Sequence, residues 1–187
     1  MAALQANDYI LYLRARGALG KELRTYWDDV KADSDISHKA ITNYPPHCSL
    51  TGFFPATKSE KTYIDAVNSA MRSLGNMPRT VTVVGLIQGN ATSKLDYIKL
   101  SSNYALAVTK AFMTNASIPS RYLKDPISFT YHITLRNHVF QKNVKKKMKK
   151  IQGLEKKINL HANASWSLFL YERDTNGDLS VIEEFPL

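Results

Sequence analysis

A single cysteine, Cys48, leaves this 187-residue chain without an internal disulfide. No apolar run reaches the roughly 20 residues a membrane-spanning helix needs, and the N-terminus carries no apolar leader. Together these absences predict a reducing, intracellular compartment, cytoplasmic or nuclear, and no membrane partner. They also leave the strings Asn90-Ala91-Thr92, Asn115-Ala116-Ser117 and Asn163-Ala164-Ser165 idle as glycosylation acceptors. No glycine-rich phosphate loop is present, so an ATP-using kinase or ligase has no local support. The histidines and the cysteine show no His-x-x-x-His or paired-Cys spacing, so neither a metal nor a cofactor is expected. Acidic residues are the scarce charge: 16 Asp+Glu against 25 Lys+Arg leave +9. That balance favours a polyanionic partner such as RNA. The length suits one domain over residues 1–187, two-lobed and monomeric, with ample material for a core.

What the chain does have is a pair of short strings, His47-Cys48-Ser49-Leu50 and His132-Ile133-Thr134-Leu135, nearly half its length apart. Both read His, apolar, hydroxyl, apolar. Side chains alternate faces along a strand, so His47 and Ser49 share one face while Cys48 and Leu50 take the other. The same holds for His132 and Thr134 against Ile133 and Leu135. Each tetrad thus offers an imidazole and a hydroxyl to a groove and two apolar groups to a core.

Transfer at a phosphodiester is the chemistry that uses two such pairs. An attacking oxygen loses a proton while the leaving oxygen, across phosphorus, gains one. Imidazole, with an unperturbed pKa of about 6.5, serves either role near neutral pH. The two hydroxyls can donate to the non-bridging oxygens, where negative charge accumulates. No metal is needed.

The paired tetrads resemble those of the 2H phosphoesterase superfamily, whose members carry two His-x-Ser/Thr-x motifs. The resemblance covers most of the chain. It extends to Trp166-Ser167-Leu168-Phe169-Leu170-Tyr171-Glu172, a turn, and Val181-Ile182-Glu183-Glu184-Phe185-Pro186-Leu187, which is similar to how LigT-like members end. It implies an α+β, two-lobed LigT-like fold, with two antiparallel sheets facing a central groove and helices outside. It further implies that His47 and His132 are catalytic and that Ser49 and Thr134 bind phosphate. Ser49 stands where many members carry Thr. The leading expectation is a metal-independent phosphodiesterase acting on a 2′,3′-cyclic phosphate, a 2′,5′-linked oligonucleotide or an RNA end. The alternatives are RNA-end ligation within the same family and a basic RNA-binding module without catalysis.

The pattern along the chain predicts a buried strand over 8–16, then a helix bearing Leu19, Leu23, Tyr26, Trp27 and Val30. Pro45-Pro46 feeds the first tetrad strand, expected to continue to Phe54. A second helix carries Tyr63, Ala66, Val67, Ala70, Met71 and Leu74, with Gly75 at its C-cap. Strands over 80–88 and 95–101 form a hairpin around Gly89-Asn90, and Asn103 caps a third helix. The second tetrad strand spans 128–136. Val144, Met148, Ile151 and Leu154 mark a fourth helix, and a hairpin through 174–178 closes the chain. Tetrad strand, helix and strand pair recur in both halves, which places a tetrad on the central strand of each lobe.

Other candidates follow from parity and neighbourhood. Thr51 shares the parity of Ser49, and Arg136 that of His132 and Thr134, so both are candidate substrate contacts; guanidinium matches phosphate geometry. Tyr44 and Tyr131 flank the tetrads and are candidates for stacking on a base; Phe53 and Phe54 fit a core better. His38, His138 and His161 match no pattern. Lys142, Lys145, Lys146, Lys147, Lys149 and Lys150 coat the outer face of the fourth helix, either as a solvated surface or as a track for RNA phosphates.

Overall fold

The computed structural model describes residues 7–32, 44–89, 95–124, 131–137 and 151–187. The expectations for 128–130, the lysine-coated stretch 142–150, His38, His138 and Asn90-Ala91-Thr92 lie outside them. Strand β1 (Asp8–Arg16) runs into helix α1 (Gly17–Ala32). Gly17 makes that turn with a φ of +66, and a side chain there would also sit 3.1 Å from the Asn163 carbonyl oxygen. Next come β2 (Cys48–Ser49), β3 (Phe54–Pro55), α2 (Glu60–Ser73), β4 (Thr82–Ile87), β5 (Leu95–Ser101) and α3 (Asn103–Asn115). A short 3₁₀ turn (Ser120–Tyr122) precedes β6 (His132–Asn137), and β7 (Ala164–Arg173) with β8 (Leu179–Pro186) form the closing hairpin. Helical backbone at 151–155 lies ahead of that hairpin.

The fold is α+β with two antiparallel sheets, as expected. One sheet has the order β2-β1-β7-β8, with β3 also on β1; the other has the order β4-β5-β6. One expectation is overturned among the described residues: neither tetrad lies on a central strand, β2 and β6 each being the last described strand of their sheet. The cause is a crossing of hairpins. The pair β4–β5, from the first half, completes the sheet of the second tetrad, and β7–β8, from the second half, completes that of the first. The two edge strands then pack against each other.

Two local expectations also differ. The first tetrad strand breaks after Ser49 instead of running to Phe54. Beyond the break, Leu50 and Thr51 turn their N–H groups to the Leu11 carbonyl at 3.0 and 3.4 Å, and Gly52 N–H bonds Tyr122 O at 2.6 Å. Ser102, not Asn103, caps α3: its hydroxyl accepts the Ala105 N–H at 3.0 Å and donates to Thr80 O at 2.7 Å.

One apolar core joins residues of both sheets and all three of these helices. α1 contributes Leu19, Leu23, Tyr26 and Val30, and α2 contributes Tyr63, Ala66, Val67, Ala70 and Met71, as their spacing predicts. A second, smaller cluster of Ile10, Tyr12, Phe169 and Tyr171 occupies the opposite face of β1 and β7. This is the face that His47 and Ser49 share.

Candidate active site at the seam of the two sheets

The apolar members of each tetrad set which way the polar members face. Cys48, Leu50 and Ile133 are fully buried and Leu135 nearly so. His47, Ser49, His132 and Thr134 are each half-buried on the other face. Burial of four apolar side chains resists a one-residue slip, which would drive both imidazoles into the core. The tetrad strands abut closely enough for the His132 main chain to lie against the Cys48 thiol. Burial pushes that thiol up to about 12, so Cys48 stays protonated and serves as a small packing residue.

His47 is tightly held. Its Nδ1 lies 2.8 Å from the Pro45 carbonyl oxygen. A carbonyl only accepts, so Nδ1 carries the proton and Nε2 keeps its lone pair. The ring stacks on Tyr12, centroids 3.9 Å apart and planes at 22°. Burial pushes its pKa down to about 4. The Pro45 bond opposes that shift, while the nearby charges of Arg14 and His132 reinforce it. His132 also has an aromatic neighbour, Tyr97, at 5.0 Å and 55°.

The registers of the two tetrads match. Tyr12 lies opposite Ser49 on β1, and Tyr97 lies opposite Thr134 on β5. Each tyrosine meets its histidine diagonally, two residues before the hydroxyl. Lys99 is opposite His132, and extending the β1–β2 register by one residue sets Arg14 opposite His47.

The remaining candidates are placed differently. Thr51, which parity alone aims into a groove, is fully buried because its hydroxyl accepts the Leu11 N–H at 3.0 Å. Tyr131 is also core, 2% exposed, and is covered too well to stack on a base. Tyr44 is half-buried and donates its hydroxyl to the Gly177 carbonyl at 3.0 Å, tying the approach to the first tetrad to the β7–β8 turn. Arg136 pairs through its backbone with Asp96, after a register shift between Asp96 and Tyr97. Phe54 is core, while Phe53 packs on the second cluster beneath the Arg173 guanidinium, 3.7 Å from its ring. His161 is exposed and remote from the tetrads in sequence. Among the described residues, no three His, Cys, Asp or Glu side chains gather in a way that would hold a metal ion.

Tyr12, Arg14, Tyr97 and Lys99 were not singled out by sequence reasoning. Tyr12 is hidden inside the continuous apolar run of β1, and Lys99 resembles any exposed strand lysine. The available signal was their alternation against Leu11, Leu13, Ile98 and Leu100, which needs the strand register to be read.

No protein-family model matches the sequence, and neither does any curated protein. Among solved structures, the chain is similar to a phosphoesterase crystal structure at a TM-score of 0.51 and 10% identity, over 97% of this chain and 98% of that one. The two share their α+β fold of two antiparallel sheets. Escherichia coli LigT in its apo form is similar at a TM-score of 0.49 and 11% identity, over 98% of each chain. The same protein complexed with 3′-AMP gives 0.47 and 14%, over 97% of this chain and 95% of that one. At such identities the likeness is one of fold, and what the fold does here depends on its own side chains. Among the described residues, no helix is long and apolar enough to cross a membrane.

Proposed function

We propose that this chain is a phosphodiesterase in which His47 and His132 perform metal-independent general acid–base catalysis. Its substrate class is a 2′,3′-cyclic phosphate, a 2′,5′-linked oligonucleotide or an RNA end. The observation that carries the reading is the pair of tetrads brought together on abutting strands, each with its imidazole and hydroxyl on one face. A net charge of +9 suits a polyanionic substrate.

His47 is the base, because it is neutral at pH 7 and its proton is committed to Pro45 O, leaving the Nε2 lone pair to receive another. It takes a proton from water as the water oxygen bonds to phosphorus. The bond from phosphorus to the leaving ribose oxygen breaks, and His132 acts as the acid that delivers a proton there. The product is a monoester, and the two histidines exchange protons with solvent to reset. Ser49 and Thr134 donate to the non-bridging oxygens as charge builds on them.

The test is incubation, with EDTA present, against 2′,3′-cyclic nucleotides, 2′,5′-oligoadenylate and cyclic-phosphate-ended RNA. Turnover of at least one substrate, unaffected by the chelator, is expected. Activity lost with EDTA and restored by zinc or manganese would overturn the mechanism.

A further inference from the structure

Beside the tetrads stand two cations in equivalent places. Arg14 is the cross-strand neighbour of His47, and Lys99 that of His132. Both lie one strand outward from the seam, on β1 and β5. Across the site the order is therefore Arg14, His47, His132, Lys99. A phosphate between the histidines has a positive side chain on each flank, about 4.8 Å of strand spacing beyond the imidazole.

Among the described residues neither cation is in an ion pair, although Glu184, which is bonded to Arg16, feels the Arg14 charge. Three arginines, Arg14, Arg16 and Arg173, occupy β1 and β7. Arg16 is ion-paired with Glu184 through both carboxylate oxygens, and Arg173 with Asp8. Arg14 alone has no carboxylate partner among the described residues. Its Nη1 donates to the Tyr171 hydroxyl at 2.6 Å, and its guanidinium lies 4.8 Å from the Phe169 ring centroid. Phe169 faces Tyr12 across the β1–β7 pairing and Tyr171 faces Ile10. The Arg14 guanidinium thus reaches across to β7, over Phe169 and Tyr171, and remains close enough for its charge to act on His47. Lys99 is exposed, with no ion pair among the described residues. A guanidinium held next to a histidine by a neutral phenol works against protonation of that histidine and gains only when an anion arrives.

We propose that Arg14 and Lys99 determine substrate length by holding the phosphates on either side of the reacting one. The inference rests on the two-histidine reading above. A cyclic mononucleotide presents one phosphate and leaves both cations unused. An internal linkage of an oligonucleotide presents a phosphate to each. The site therefore prefers the internal linkages of a short oligonucleotide to a cyclic mononucleotide.

The test compares wild type with Arg14→Gln, Lys99→Gln and the double variant on 2′,5′-tetraadenylate and on 2′,3′-cyclic AMP. Each single change should lower kcat/KM on the tetramer about tenfold, mainly through KM, for a lost phosphate contact of roughly 1.4 kcal/mol. Turnover of cyclic AMP should change by less than about threefold, and Arg14→Lys should recover most of the loss. Equal losses on both substrates would assign the cations to the reacting phosphate and overturn the proposal, as would no loss on either. A second arm keeps the two readings separable if wild type hydrolyses nothing. In a His47→Ala/His132→Ala background, tetraadenylate binding is titrated at several salt concentrations with and without the two cations. Losing both should flatten the log–log salt slope by about 1.4, near 0.7 for each phosphate on a single strand. An unchanged slope would overturn the proposal whatever the fate of the catalytic reading.

Discussion

The first and second tetrads share a plan and differ in how their imidazoles are held. In both, a tyrosine opposite the hydroxyl reaches diagonally to the histidine and a cation stands opposite the histidine. The Tyr12 ring lies almost flat on His47 at 3.9 Å, whereas Tyr97 meets His132 tilted at 5.0 Å. His47 also donates its Nδ1–H to Pro45 O, a bond set up by the Pro45-Pro46 approach. Equivalent positions in two lobes thus hold their two imidazoles differently, and a base and an acid acting across one phosphate need different settings.

Removing either imidazole breaks the comparison most severely. His47→Ala and His132→Ala should each lower turnover at least about a hundredfold while thermal unfolding stays cooperative. The double variant should be little worse than the poorer single one, because the two act as a unit. Near-wild-type turnover in either single variant would end the two-histidine mechanism. Next come the hydroxyls: Ser49→Ala and Thr134→Val should each cost up to about a hundredfold in kcat, with KM less affected, if they donate to charge that develops in the transition state.

The pH profile sharpens the comparison. His47 must be unprotonated to act, so kcat/KM should rise with pH through an acid limb near 4, where burial sets its pKa, well below an ordinary histidine. Tyr12→Ala opens His47 to water and should move the acid limb upward, whereas Tyr97→Ala should leave that limb in place. Measured pH–rate profiles of the two variants decide this. Stability follows the same residue. Its folded pKa lies below the unfolded value, so the unfolded chain binds more protons between the two. Stability should be complete above pH 6.5 and decline towards pH 4, by up to about 3 kcal/mol. His47→Gln should flatten that decline in denaturant titrations at several pH values.

The smallest effect separates two hydroxyls in one sequence stretch. Thr51→Val removes the buried acceptor of the Leu11 N–H and should cost about 1–3 kcal/mol of stability, with turnover nearly unchanged. Ser49→Ala should do the reverse.

How much of this was legible beforehand depended on whether local pattern or pairing decided the matter. The tetrad faces follow from period-two alternation, and Cys48, Leu50, Ile133 and Leu135 are buried as that alternation requires. The amphipathic faces of α1 and α2 were equally plain. Thr51 misled because parity holds only while a strand stays regular, and the first tetrad strand breaks after Ser49. The edge placement of both tetrads and the matched Tyr12/Tyr97 and Arg14/Lys99 positions depend on which strands pair over long sequence distances. No local window carries that information.

The crossing of the hairpins has a consequence for how the protein is made. β1, the strand that carries Tyr12 and Arg14, finds its long antiparallel neighbour only in β7, which begins at Ala164. The sheet behind His47 therefore stays open until the last strands have left the ribosome. A polypeptide interrupted after its second tetrad possesses every residue of the proposed chemistry but lacks half of the platform that aims it. Competence of the proposed site therefore waits on β7 and β8, not on the tetrads themselves.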